Sequence, residues 1–127
     1  MIVLDASAAV SALLNDGEAR RLVASESLHV PHLIDVEVLS ALRRQVFASE
    51  LSNSQAERVL GVWGRIGLVS YAAGPLLARA WTLRDSMTAY DAIYVALAEF
   101  LDCALVTADA RLAGASGKRC ATTVVPR

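Results

Sequence analysis

Lysine is almost missing from this chain of 127 residues: Lys118 stands alone beside eleven arginines. With 12 cations against 13 acids the formal net charge is −1. The chain therefore lacks the basic surplus by which many nucleic-acid binders hold a polyanion, which argues against broad electrostatic binding. Cysteine is scarce as well. Cys103 and Cys120 show neither CxxC nor Cys/His spacing, which speaks against a zinc site. They read as buried free thiols in a reducing compartment. No stretch reaches the roughly 18 uninterrupted apolar residues that a membrane span requires. The opening "MIVLDASAAV" has no basic leader and carries Asp5 early, so it does not read as a secretory signal. Repeats, low-complexity runs and linkers are missing too, and residues 1–127 read as one domain.

What the chain has in plenty is apolar surface. The apolar share is 55% and the mean hydropathy +0.44, high for a soluble domain. A fully buried sheet, together with an apolar face that a partner covers, accounts for the excess. The expectation is a cytoplasmic, oligomeric protein.

The punctuation of the sequence is regular. The runs "IVL", "LHV", "LVSYA", "ALVT" and "TTVV" read as strands, the second stopped by Pro31. Between them lie helical stretches: "SAAVSALL", "GEARRLVAS", "LIDVEVLSALRRQVFAS", "SNSQAERVLGVWGRI", a helix from Gly74-Pro75 to about Arg84, "TAYDAIYVALAEF" and a short turn at "ADARLA". Ser52 with Gln55, and Ser54 with Glu57, give two overlapping capping signals. Strands alternating with helices imply an α/β fold, doubly wound, with a parallel sheet covered on both faces. Ligands in such folds bind beyond the carboxyl ends of the strands, where the strand order reverses.

Four acids point to that rim. Asp5 ends the first strand, and Asp109 follows the fourth just after Thr107. Asp91 lies at the amino end of the helix leading into the fourth strand, on a stripe shared with Tyr94, Val95 and Ala98. Glu37 lies in the first turns of the helix after the second strand. Each has a bland reading. Asp5 and Asp109 can cap helices, and Asp91 follows Thr88 at capping-box spacing. Glu37 has no cation three or four residues away to pair with, although a distant arginine could serve. Taken together, four carboxylates held close would repel by about 4 kcal/mol per pair at 4 Å and an effective dielectric near 20. Either protons or a cation must offset this. Oxygen ligands without histidine or cysteine suit Mg²⁺ or Mn²⁺.

"IVLDASAAV", "DVEVLSALRR", "TAYDAIYVALAE" and "LVTADARLA", in this order, resemble the PIN-domain ribonucleases, and among them the VapC-type toxins of toxin–antitoxin pairs. The resemblance spans the chain as a single PIN domain. It implies a three-layer α/β/α fold with a mostly parallel five-stranded sheet of order 3-2-1-4-5. It also implies an Mg²⁺-dependent endoribonuclease whose catalytic and metal-binding acids are Asp5, Glu37, Asp91 and Asp109. Ser7 and Thr107 match the supporting hydroxyls near the metal. Its products would be a 5′-phosphate and a 3′-hydroxyl. A cognate protein antitoxin, seated between the early helices, and a homodimer are further implications.

Two other readings compete with this one. A receiver-like or haloacid-dehalogenase-like phospho-acceptor would also place an Asp after its first strand. It would need a catalytic lysine near the end of a late strand, and Lys118 precedes the last one. The second is an interaction module without turnover. Arg43, Arg44, Arg79, Arg84 and Arg111 are candidates for phosphate contacts, against the plainer reading of solvated helix faces. His29 and His32 read as structural, and Trp63, Trp81, Tyr90 and Tyr94 as packing residues.

Overall fold

The computed structural model describes residues 1–127. Its strands are β1 (Ile2–Leu4), β2 (Leu28–Pro31), β3 (Leu68–Tyr71), β4 (Ala104–Thr107) and β5 (Thr122–Val124). The helices are α1 (Ala6–Leu14), α2 (Glu18–Ser25), α3 (Ile34–Phe47), α4 (Asn53–Trp63), α5 (Leu77–Thr82), α6 (Ala89–Leu101) and α7 (Ala110–Ala113). All four strand pairings are parallel, in the order β3-β2-β1-β4-β5. The central strand β1 is buried at every position, as its unalternating apolar sequence requires.

The strand order fixes the layers. From β1 to β2 to β3 the chain steps in one direction; from β3 through β4 to β5 it steps back. Crossovers between parallel strands are right-handed, so α1 to α4 cover one face and α5 to α7 the other. The reversal falls between β1 and β4, which pair directly from Ile2↔Ala104 to Leu4↔Val106. Their carboxyl ends form the crevice.

A core of 27 buried apolar residues fills both faces. The helix α6 contributes most, with Ala92 through Ala98 buried without interruption where it crosses β1, β2 and β4. Its first turn, Ala89 to Asp91, lies outside this enclosed run.

Some local expectations need correction. Pro31 is the last residue of β2 rather than a stop before it. It costs no ladder hydrogen bond to β1, because that pairing ends at Val3↔His29. Only the first capping signal before α4 forms: Ser52 and Gln55 close the box, and Ser54 lies inside the helix. Gly74–Leu76 is a 3₁₀ turn, and α5 ends at Thr82, short of Arg84. Both thiols are free but only half-buried. Trp63 packs and donates to Asp35 at 2.8 Å, and Tyr94 is buried. Trp81 and Tyr90, in contrast, are exposed at 68% and 63%.

Candidate active site

Asp5 leaves β1 still tied to the sheet, its N–H donating to the Val106 carbonyl at 3.0 Å. Its side chain caps α1, accepting from the Ala8 N–H at 2.9 Å and from the Ser7 hydroxyl at 2.7 Å. Ser7 also meets the Thr107 hydroxyl at 3.2 Å and accepts from the Ala108 N–H at 2.8 Å. Thr107 in turn accepts from the Asp109 N–H at 3.0 Å. The two hydroxyls thus join the loop after β1 to the loop after β4 and tie the Asp5 and Asp109 segments together.

The other two acids arrive from helices. Glu37, in the first turn of α3, accepts from the Tyr94 hydroxyl at 2.7 Å. Asp91, in the first turn of α6, gives its N–H to Thr88 Oγ1 at 3.2 Å. The return bond from its carboxylate to the Thr88 N–H, which would complete a capping box, does not form. Asp91 thus leaves its side chain to the cavity beside it. Asp109 caps α7 through Arg111 N at 2.9 Å, and the Arg111 guanidinium grips the same carboxylate at 3.2 Å.

Asp5, Glu37, Asp91 and Asp109 line one cavity of about 790 Å³, together with Ser7, Tyr90 and Tyr94. The capping roles of Asp5 and Asp109 are realised at the same time, so the bland readings and the shared cavity are compatible. The electrostatics follow from the crowding. Burial pushes the Asp5 carboxyl up, against the Thr107, Ala8 and Ser7 donors that pull it down, and Asp109 adds to the rise. Burial raises Glu37 as well; the Tyr94 hydrogen bond opposes this, and Asp5 and Asp91 reinforce it. Asp91 is raised by burial, then by Asp5 and Asp109. Asp109 alone is lowered, because Arg111 hydrogen-bonds to it. As the side chains stand, no three of them are near enough to one point to grip a single ion. Like charges that share a cavity turn to whatever donors the chain supplies: Glu37 to Tyr94, Asp109 to Arg111.

The arginines divide. Arg79 is held by Glu99 at 2.7 Å, Arg43 lies over Phe47 and Arg84 over Trp81. Arg44 reaches the cavity wall with Arg127. The reading of Tyr94 as a packing residue missed its hydroxyl. The available signal was its place three residues after Asp91, on the same helical stripe.

The chain's likeness to known proteins bears on its family and fold. The PIN domain model matches residues 2–118. Ribonuclease VapC9 of Mycobacterium tuberculosis is 53% identical over 127 residues, the whole of both chains. Among solved structures, PAE2754 from Pyrobaculum aerophilum aligns with a TM-score of 0.72 at 24% identity, over 95% of this chain and 81% of that one. Mycobacterium tuberculosis VapC20, described as a sarcin–ricin loop cleaving toxin, aligns with a TM-score of 0.69 at 17% identity, over 94% and 97%. The structural likenesses at such identities speak for the fold; the sequence match speaks for the family. This chain belongs to the PIN-domain family, and within it to the VapC ribonucleases. The phospho-acceptor readings fall away with that membership. Lys118 precedes β5, at the end of the sheet opposite the acids.

Proposed function

We propose that this protein is a metal-dependent endoribonuclease, the toxin of a VapBC-type pair, hydrolysing RNA phosphodiester bonds at Asp5, Glu37, Asp91 and Asp109. One observation carries the reading: four acids from four separate segments line a single cavity at the topological switch point. Three of them, Asp5, Glu37 and Asp91, are raised from their ordinary values by burial first and then by neighbouring acids of the set.

The donor set fits a hard divalent cation, Mg²⁺ or Mn²⁺. It is all oxygen, with neither histidine nor cysteine in the cavity, and a cation would relieve the mutual repulsion. Asp5 and Asp91 are the principal ligands in this reading, with Glu37, still held by Tyr94, and Asp109, once released from Arg111, completing the set. When bound, the ion would activate an attacking water and offset charge developing on phosphorus. The chain supplies the rest. Ser7 and the Ala8 N–H hold Asp5 in place, and Thr107 with Ser7 fixes the spacing between the two strand ends. Glu37 Oε2, the oxygen that Tyr94 leaves open, is suited to take a proton from the water, since a raised carboxyl is a better base.

A homodimer and a cognate antitoxin are the partners in this reading. Val10 and Leu14 of α1 and Val36 and Ala41 of α3 extend the cavity into an apolar groove that an antitoxin segment would fill.

The decisive experiment is sequencing of the RNA ends produced by purified protein with Mg²⁺, with EDTA and the Asp91→Asn variant as controls. Cleavage leaving 5′-phosphates is expected from the wild type alone, with a circular dichroism spectrum that the variant shares. A variant that cuts at the wild-type rate would defeat the assignment.

A further inference from the structure

Tyr90 immediately precedes Asp91 in the first turn of α6, and it stands in the wall of the acid-lined cavity. Among the three tyrosines, Tyr71 and Tyr94 commit their hydroxyls to His29 and Glu37. Tyr90 instead presents its ring to solvent, 63% exposed. The helix that carries it is nevertheless well anchored. Thr88 caps the helix, and the run from Ala92 to Ala98 is locked in the core. A flat apolar face is therefore carried on a fixed backbone beside the reactive groups.

The charge distribution gives that face a purpose. The chain carries a net charge of −1, and its cavity sets five acids against two cations, Arg44 and Arg127, so counter-charge alone is a weak source of affinity for a polyanion. Single-stranded nucleic acid offers another handle, because every base has a π-face that can stack on an aromatic ring. An exposed aromatic next to a cleavage site supplies it where basic surface is sparse.

We propose that Tyr90 stacks on a nucleobase adjoining the scissile phosphate and so positions single-stranded or looped RNA across the acids. The inference rests on the ribonuclease reading above. Tyr90 is a positioning residue here: it grips the substrate in ground and transition states alike, so its loss raises KM and leaves kcat. Stacking is tolerant of base identity, so the contact fixes register rather than sequence.

The test uses a mixed-sequence RNA decamer labelled with fluorescein, and a matching decamer of abasic nucleotides. For Tyr90→Ala, KM for cleavage rises about tenfold with kcat within about twofold of wild type, while Tyr90→Phe and Tyr90→Trp restore KM. Fluorescence anisotropy in an Asp91→Asn background, where nothing is cut, shows the same tenfold loss on Tyr90→Ala for the ordinary decamer. The abasic decamer binds weakly and indifferently to residue 90. If wild-type protein cuts RNA and Tyr90→Ala matches it in KM and binding, the stacking proposal is overturned and the nuclease reading stands. Stacking is equally overturned if Tyr90→Ala alters only binding to a protein partner. If the wild type neither binds nor cuts RNA, both fall.

Discussion

The contact between Tyr94 and Glu37 shows what one hydroxyl can do at this site. A buried phenol needs a partner for its O–H, and Glu37 provides it at 2.7 Å. Burial, and then the bond to Glu37, push the Tyr94 pKa up, so the phenol stays protonated and remains a donor throughout the physiological range. The bond aims one carboxylate oxygen and leaves the other to the cavity. In Tyr94→Phe the ring still fills its place in the core, so the melting temperature should move little. Cleavage should drop by about tenfold, the lower end of what the loss of a ligand-orienting hydrogen bond costs. Unchanged kcat in Tyr94→Phe would show that Glu37 needs no such support. The acids themselves were legible because a carboxylate in an apolar run is conspicuous. The tyrosine was not, since an aromatic residue in the same run reads as packing until the facing helix is known.

Among the elements, α1 and α3 bear most directly on the proposed antitoxin contact. Their facing residues Val10, Leu14, Val36 and Ala41 lead out of the acid cavity, and Val36 is 69% exposed, an apolar side chain left uncovered by its own fold. If an antitoxin segment lies there, Val36→Glu should abolish co-elution with the product of the neighbouring gene on size-exclusion chromatography, and the folded toxin should be unaffected. Co-elution of the variant with undiminished affinity would move the partner surface elsewhere. Most element limits were readable from apolar period and caps, as the box at Ser52 and Gln55 illustrates. The end of α5 was not. No glycine or proline stands between Thr82 and the start of α6. The helix stops there because Leu83 turns into the core, 2% exposed, and the Thr82 hydroxyl donates back to the Arg79 carbonyl. Burial of that kind is a tertiary event with no local signature.

At the scale of the molecule, the strand order that joins β1 to β4 also imposes an electrostatic cost. Asp5, Glu37 and Asp91 have folded-state pKa values above their ordinary 3.8, 4.5 and 3.8. Between those values and the raised ones, the native state binds more protons than the unfolded chain, so stability falls as pH rises through this window and stays lower above it. Glu99 and Asp109 behave oppositely. Burial pushes Glu99 up, but Arg79 and the Arg119 N–H outweigh it, and Arg111 holds Asp109 down. Their stabilisation is present above the ordinary values of 4.5 and 3.8 and disappears only as pH falls below them. In EDTA, then, the melting temperature should rise as pH is lowered from neutrality toward the ordinary carboxylate values and drop again below them. Millimolar Mg²⁺ at pH 7 should raise it too, since an ion that binds only the native state stabilises by mass action. In Asp91→Asn both responses should shrink, and the metal-free variant at pH 7 should melt higher than the metal-free wild type, because one of the repelling charges is gone. Differential scanning calorimetry across this grid of pH and metal decides the matter. A wild-type protein whose stability ignores Mg²⁺, and whose Asp91→Asn variant melts no higher, would mean that the four acids do not crowd one another enough to call for a cation.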